Sequence, residues 1–443
     1  MDTEIISKEN IKPTSPTPSH LNTFNLSILD QLVISPYVPI ILYYSNNNGE
    51  TTDQALEKSL ILKKSLSETL TQFYPLAGTI KNERSIDCND VGANFIVALI
   101  HCRLDKFLEN PDHKLINSFL PFEPSFNESS EGNRVTNVQV NVFECGGIAI
   151  GLCISHKIID GAALFTFLKA WTNMARESVE IVYPNLTSPS LFPAKSSWLR
   201  DTSMVLTQSF LKQGKGCTKR FVFGSDAIAR LRAMAGVKQP TRVEVVSGLI
   251  WKSAMAASKD ANGVCKSSSL SHFVNLRSKL ADSLSKHFIG NLVWLSNAVW
   301  VASDDDQTPF HALVKKVRES ISKIDADFVE KSQGDEGYVE MQKSLQVMGE
   351  EIGSLGSIDT YGFTSWCKMG FYEIDFGWGK PSWVTGLVGD GMPVFMNLVT
   401  LMDTKSGDGI EAWVNLDESE MEILEKNEEL LSYASLNPSP LQK

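Results

Sequence analysis

The chain is poor in cysteine, and what cysteine it has is not spaced for chemistry. There are seven in 443 residues, an odd number with no Cys-X-X-Cys pair. That pattern excludes a paired structural zinc site and a redox dithiol, and it reads as reduced thiols. Long apolar runs are also missing. The longest stretch without a charge, 288–303, is broken by Asn291 and Asn297, whereas a membrane span needs about 18 apolar residues. The first residues, Met-Asp-Thr-Glu, have neither the basic nor the apolar region of a secretory leader. The sequons at Asn25, Asn127 and Asn185 are therefore read as unused, and the location expected is cytoplasmic. No basic block occurs: Lys and Arg number 41 against 52 Asp and Glu, a net charge of −11. This argues against a nucleic-acid or anionic-membrane binder, while leaving room for a local patch that holds an anion.

What is present suits a globular chain. Apolar residues make up 42%, charged residues 21% and aromatics 9%, which excludes disorder, collagen and coiled coil. At about 100–200 residues per domain, the length fits two or three domains. The prolines at 13, 16 and 18 predict a stiff extended segment. Tyr37 to Tyr44 is an apolar, β-rich run and predicts a buried strand. Leu62, Leu66, Leu70 and Phe73 share one face of a helix over 55–73, which Pro75 ends. Val138, Val140 and Val142 alternate with polar residues, so 135–154 reads as two strands turning at Cys145-Gly146-Gly147. A helix over 161–176 follows, striped by Leu164, Leu168, Trp171 and Ala175.

Beyond this the pattern loosens. Residues 184–217 hold three prolines and many Ser and Thr, the composition of a crossover between domains. After it, 225–236 predicts a capped helix, and Thr241 to Glu244 is a capping box opening another. Val314, Val317, Ile321 and Ile324 mark a third. Phe273–Leu276 and Leu292–Val301 predict strands. Helices and strands alternate in both halves, so the fold class is α/β, in two domains of comparable size. The expected bounds are 1–183, a linker over 184–217, and 218–443.

Two motifs could carry chemistry. Ser155-His156-Lys157-Ile158-Ile159-Asp160-Gly161 lies where a strand ends and a helix begins, a place that presents side chains. A histidine there, with an ordinary pKa near 6.5, can serve as a base at neutral pH. The same residues equally suit a helix-start histidine beside a capping Asp160, with no chemistry. Asp375-Phe-Gly-Trp-Gly-Lys-Pro381 describes a rigid aromatic loop around one carboxylate. By itself it reads more readily as a packed interdomain loop. Cys153, three residues before His156, lies in an apolar run and reads as a small buried hydrophobe rather than a nucleophile. Cys145, Cys153 and His156 lack zinc-ligand spacing. Trp171, Trp251 and Trp366 read as core. The other histidines (20, 101, 113, 272, 287 and 311) are scattered.

Together the two motifs resemble the BAHD family of plant acyl-CoA-dependent acyltransferases. Tyr74-Pro-Leu-Ala-Gly78, Asn275-Leu-Arg277 and Gly290-Asn291 extend the likeness along the chain. Leu29-Asp30-Gln31, Phe143-Glu-Cys-Gly-Gly147, Phe363-Thr-Ser-Trp366 and the 402–409 segment resemble its vinorine-synthase branch. Thr79 stands where an arginine is usual, and 278–286 replaces a proline-rich stretch. The resemblance implies two chloramphenicol-acetyltransferase-like domains, each a mixed sheet flanked by helices, facing each other across a tunnel, with a late strand packing into the first domain. It implies a monomer that uses acetyl-CoA as cosubstrate, with no metal and no permanently bound cofactor, to acetylate a hydroxyl on an alkaloid or terpenoid. An aromatic acyl donor, an amine acceptor, or a binding protein whose catalysis has lapsed are the alternatives. His156 would be the general base. Asp160 would brace the loop through a basic partner. Asp375 would be buried among aromatics, away from the chemistry, and paired with Arg277. No residue is assigned to CoA itself.

Overall fold

The run Tyr37–Tyr44 is a strand buried along almost its whole length, as an unbroken apolar segment requires when both faces of a sheet are covered. It pairs antiparallel with Ile148–Ser155, which pairs antiparallel with Thr136–Phe143 through the turn at 144–147. Thr136–Phe143 runs parallel to Ala93–Ile100, and Thr3–Ile11 adds an antiparallel edge strand. That edge strand carries exposed Ile5 and Ile6, so it shows no inside–outside alternation in the sequence. The sixth strand of this mixed sheet comes from far down the chain: Trp383–Thr385 pairs with 41–43. The computed structural model describes residues 1–33, 36–126, 129–194, 210–281, 286–302 and 308–441. The sequon at Asn127 and much of the expected 184–217 linker fall outside them.

Two helices cover the first sheet, Thr52–Gln72 and Gly161–Ala175. Leu62, Leu66 and Leu70 are fully buried, a gain of about 1.5–3 kcal/mol each. Trp171 locks the two helices together, its indole N–H donating to the Leu62 carbonyl at 3.2 Å and to Ser65 Oγ at 3.0 Å.

The second sheet has seven strands in the order Val293–Trp300, Ser268–Asn275, Asp359–Ser365, Leu398–Asp403, Ile410–Asp417, Gly216–Phe223 and Ser435–Leu436. Asp359–Ser365 is parallel to both neighbours and the other pairings are antiparallel. Helices Arg242–Asn262 and Phe310–Ser322 pack on it. The first opens with the expected capping box, Thr241 N–H to Glu244 at 2.7 Å and Glu244 N–H to Thr241 Oγ1 at 3.1 Å. The helix Ser225–Met234 differs from expectation. Its N-cap is Gly224 with no side-chain cap, because Ser225 already lies inside the first turn.

The halves are tied by shared packing. Arg220 is buried between Trp383 and Trp413, 5.2 and 5.8 Å from their ring centres, and pairs with Glu411 at 2.7 Å. The short helix Ile28–Leu32 packs its Ile28 and Leu29 against Leu276, Phe288 and Leu292 of the second half. Among the described residues no helix is long and apolar enough to cross a membrane.

Candidate active site

A cavity of about 230 Å³ opens between the two sheets, and both halves line it. His156 lies on its wall, in the turn after the strand Ile148–Ser155 and before the helix Gly161–Ala175. The backbone there is held from two sides. His156 N–H donates to the Pro36 carbonyl at 2.8 Å, and Asn291 Nδ2 donates to the His156 carbonyl at 2.7 Å. Burial lowers the imidazole pKa below its ordinary value. Its own backbone, the Asp160 charge and Asn291 oppose that shift without cancelling it. The shift favours the unprotonated imidazole, the form a base requires.

Asp160 is almost fully buried and makes no hydrogen bond to the imidazole. Its Oδ1 accepts from the Ala163 N–H at 2.8 Å, capping the helix, and from Arg277 Nη2 at 3.0 Å. Its Oδ2 accepts from Arg277 Nη1 at 2.7 Å and from the Leu292 N–H at 2.9 Å. The arginine fork matches the carboxylate in a bidentate pair that joins the two halves. Arg277 Nη2 also reaches the carbonyls of Phe288 and Gly290, both at 3.2 Å. The glycine after Asp160 has a steric reason to be there. A Cβ at Gly161 would lie 2.8 Å from Trp366 Nε1, closer than real contacts allow.

The expected pairing of Asp375 with Arg277 is not formed. Arg277 spends its Nη donors on Asp160, on two carbonyls and on Asn275 Oδ1. Asp375 is only half-buried, and its Oδ1 accepts from the N–H groups of Gly377 at 2.8 Å and Gly379 at 2.9 Å. Those glycines have φ of +110° and +105°, a region other residues resist. The carboxylate is satisfied within its own loop, so it needs no distant cation. Phe376 anchors the loop, edge-on to Trp171 with ring centres 5.0 Å apart, and is not one of the residues that line the cavity.

Trp366, expected in the core, packs against the first core and also lines the cavity, while Trp171 and Trp251 are fully buried. Cys153 is buried, and burial pushes its thiol up, which disfavours the thiolate a nucleophile needs. His272 is held against Ser247 Oγ at 3.0 Å inside the second core and is pushed down to about 4 by burial.

Asp30 and Asn291 stand in the sequence only as parts of the resemblance, and the structure gives them a task. Asp30 Oδ1 accepts from both the backbone N–H of Asn291 at 2.6 Å and its Nδ2 at 3.0 Å. Oδ2 accepts from the Ser27 N–H at 2.9 Å and from the hydroxyls of Ser27 and Ser188 at 2.6 and 3.3 Å. Asp30 thus orients the amide that holds the His156 carbonyl. Burial raises its pKa, and these hydrogen bonds oppose the rise. The sequence signal, a buried acid beside Leu29 and an Asn after Gly290, is visible only once the two segments are known to touch.

A family model described as the Transferase family matches residues 1–431. A limonoid 7-O-acetyltransferase of Citrus sinensis is 41% identical, over 100% of each chain. A stemmadenine O-acetyltransferase of Catharanthus roseus is 37% identical, over 95% of this chain and 96% of the relative. The crystal structure of vinorine synthase superposes with a TM-score of 0.81 at 34% identity, covering both chains completely. The family match, these identities and a fold of two helix-flanked mixed sheets meeting at a cavity lead to one assignment: the chain belongs to the Transferase family, the BAHD group of plant acyltransferases, and is itself an acyltransferase.

Proposed function

We propose that the protein transfers the acetyl group of acetyl-CoA to a hydroxyl of an alkaloid or terpenoid, with His156 as general base and no covalent enzyme intermediate. The observation that carries this reading is the place of His156 on the wall of a cavity shared by both halves, where burial favours its unprotonated form. In this mechanism His156 takes the proton of the acceptor hydroxyl as its oxygen attacks the thioester carbonyl. The tetrahedral oxyanion collapses, the C–S bond breaks, and the imidazolium returns the proton to the departing thiolate. Asp160, Arg277, Asn291 and Asp30 position the base, and Asp375 shapes its own loop. Release of free thiol from acetyl-CoA, measured across a panel of alkaloid and terpenoid alcohols, tests the reading; absence of release with every alcohol would sink it. Sheet membership supports a first domain over 1–183 that borrows 383–385, and a second over 218–443.

Two further results are expected. Acetyl-CoA alone should leave the intact mass of the protein unchanged, and Cys153→Ala should keep most of the activity; a kinetically competent acetylated species would restore the thiol route. The pH profile follows from the lowered imidazole pKa. A base works only when unprotonated, so kcat/KM should be flat through neutral pH and fall on acidification through a value below about 6.5. The loss should occur at lower pH than an ordinary histidine would give. An inflection above about 7 would contradict the assigned burial of the base.

A further inference from the structure

A hydroxyl bonded to His156 fixes one point of an acceptor and leaves the rest free to turn about it. Choosing one hydroxyl among several takes a second fixed point. We infer that Asn275 is that point, its side-chain Nδ2 donating to another oxygen of the acceptor and so setting which hydroxyl is acetylated. This deepens the reading above and rests on it for what occupies the cavity.

Asn275 ends the strand Ser268–Asn275 and lines the cavity together with Phe273, two residues earlier. Side chains two apart share one face of a strand, and Val293, opposite Asn275 on the neighbouring strand, lines the cavity as well. The amide has one orientation open to it. Its Oδ1 accepts from the Arg277 backbone N–H at 3.0 Å and from Arg277 Nη1 at 3.3 Å. Both partners are donors only, so the oxygen must face them and the NH₂ must face away. The residue is half-buried, and its NH₂ is the end that serves the cavity. A donor of this kind takes a carbonyl, ether or hydroxyl oxygen.

The amide is also fixed relative to the base. Arg277, which orients it, binds Asp160 at 2.7 and 3.0 Å. Asp160 in turn caps the helix that begins just after the His156 turn. Base and amide thus hang on the same ion pair, one from each half, and a rigid ligand meets both in one orientation only. Thr364 and Thr400, paired side by side on adjoining strands, also line the cavity. Their hydroxyls rotate to suit whatever faces them, whereas the Asn275 amide cannot turn without breaking both bonds to Arg277. That makes Asn275 the selective group.

The test uses a polycyclic triol that the protein binds, and the analogues that lack one oxygen each. Wild-type protein with acetyl-CoA should give a single ester by NMR. Deleting one particular non-reacting oxygen should lower kcat/KM by roughly 10-fold. Asn275→Asp keeps an oxygen for Arg277 and removes the NH₂. It should melt near the wild-type temperature, lose a similar factor on the triol, and esterify more than one position. With the analogue lacking the anchored oxygen, the variant should lose nothing further. Asn275→Ala should show the same pattern. Additive losses, an unchanged single ester from the variants, or a loss confined to the KM of acetyl-CoA overturns the inference. So does a wild-type enzyme indifferent to every oxygen deletion, a result that needs no variant to fold. Calorimetric binding of the same compounds reads the cycle without turnover, so a lack of thiol release would defeat the acetyl-transfer reading and still leave the anchor decidable.

Discussion

Replacement of His156 by alanine is expected to lower kcat by about 10²–10⁴, the usual contribution of a positioned base, while the protein stays folded. The ring faces the cavity, and the hydrogen bonds that hold residue 156 in place run through its backbone N–H and carbonyl. These survive the substitution, so the turn before the helix Gly161–Ala175 should keep its shape. The acetyl-CoA dissociation constant should change little, because the lost interaction is made to a proton in flight rather than to the bound ground state. The acidic limb of the wild-type pH profile should vanish from what activity remains. Turnover by the variant at the wild-type rate would show that another group takes the proton. A fall in CoA affinity matching the fall in rate would show that His156 binds rather than catalyses.

That histidine was legible because its surroundings are local. A strand of buried apolar residues ends at Ser155, a striped helix begins at Gly161, and only a turn fits between them. The same holds for the Leu62, Leu66 and Leu70 stripe and for the hairpin that carries Val138 to Val142. What joins distant segments was not legible. Asp160 meets Arg277 across 117 residues, and nothing in the spacing of either residue reports the other. Asp375 departs from expectation for a physical reason. Aromatic neighbours suggest burial, and burial of a carboxylate demands a partner, yet the partner is the loop's own backbone, turned inward by two glycines. Trp383–Thr385 is only three residues long, too short for alternation to show which sheet it joins. Trp366 carries no mark distinguishing a cavity wall from a core. Its position follows from the close approach of the second half to Gly161.

The largest structural effect is expected at the Asp160–Arg277 pair. The Asp160 side chain is 4% exposed and that of Arg277 14%, so either residue left alone would be a stranded charge in a desolvated place. Removing one member of such a pair costs about 3–5 kcal/mol, a large share of the roughly 5–15 kcal/mol that holds a domain together. Arg277→Ala should therefore melt at a clearly lower temperature or yield little soluble protein, and Asp160→Ala should do the same, losing the helix cap as well. The double variant should be less damaged than the sum of the two, because it strands neither charge. Activity should fall in all three, since Arg277 also holds the Phe288 and Gly290 carbonyls next to Asn291, the residue that fixes the His156 backbone. Asp375→Ala is the control for this account. It removes a carboxylate whose bonds are two N–H groups in its own half-exposed loop, so it should destabilise the protein less than Arg277→Ala. Thermal melts that rank Asp375→Ala below Arg277→Ala, or additive losses in the Asp160 and Arg277 double variant, would show that the pair does not join the two halves as its geometry indicates.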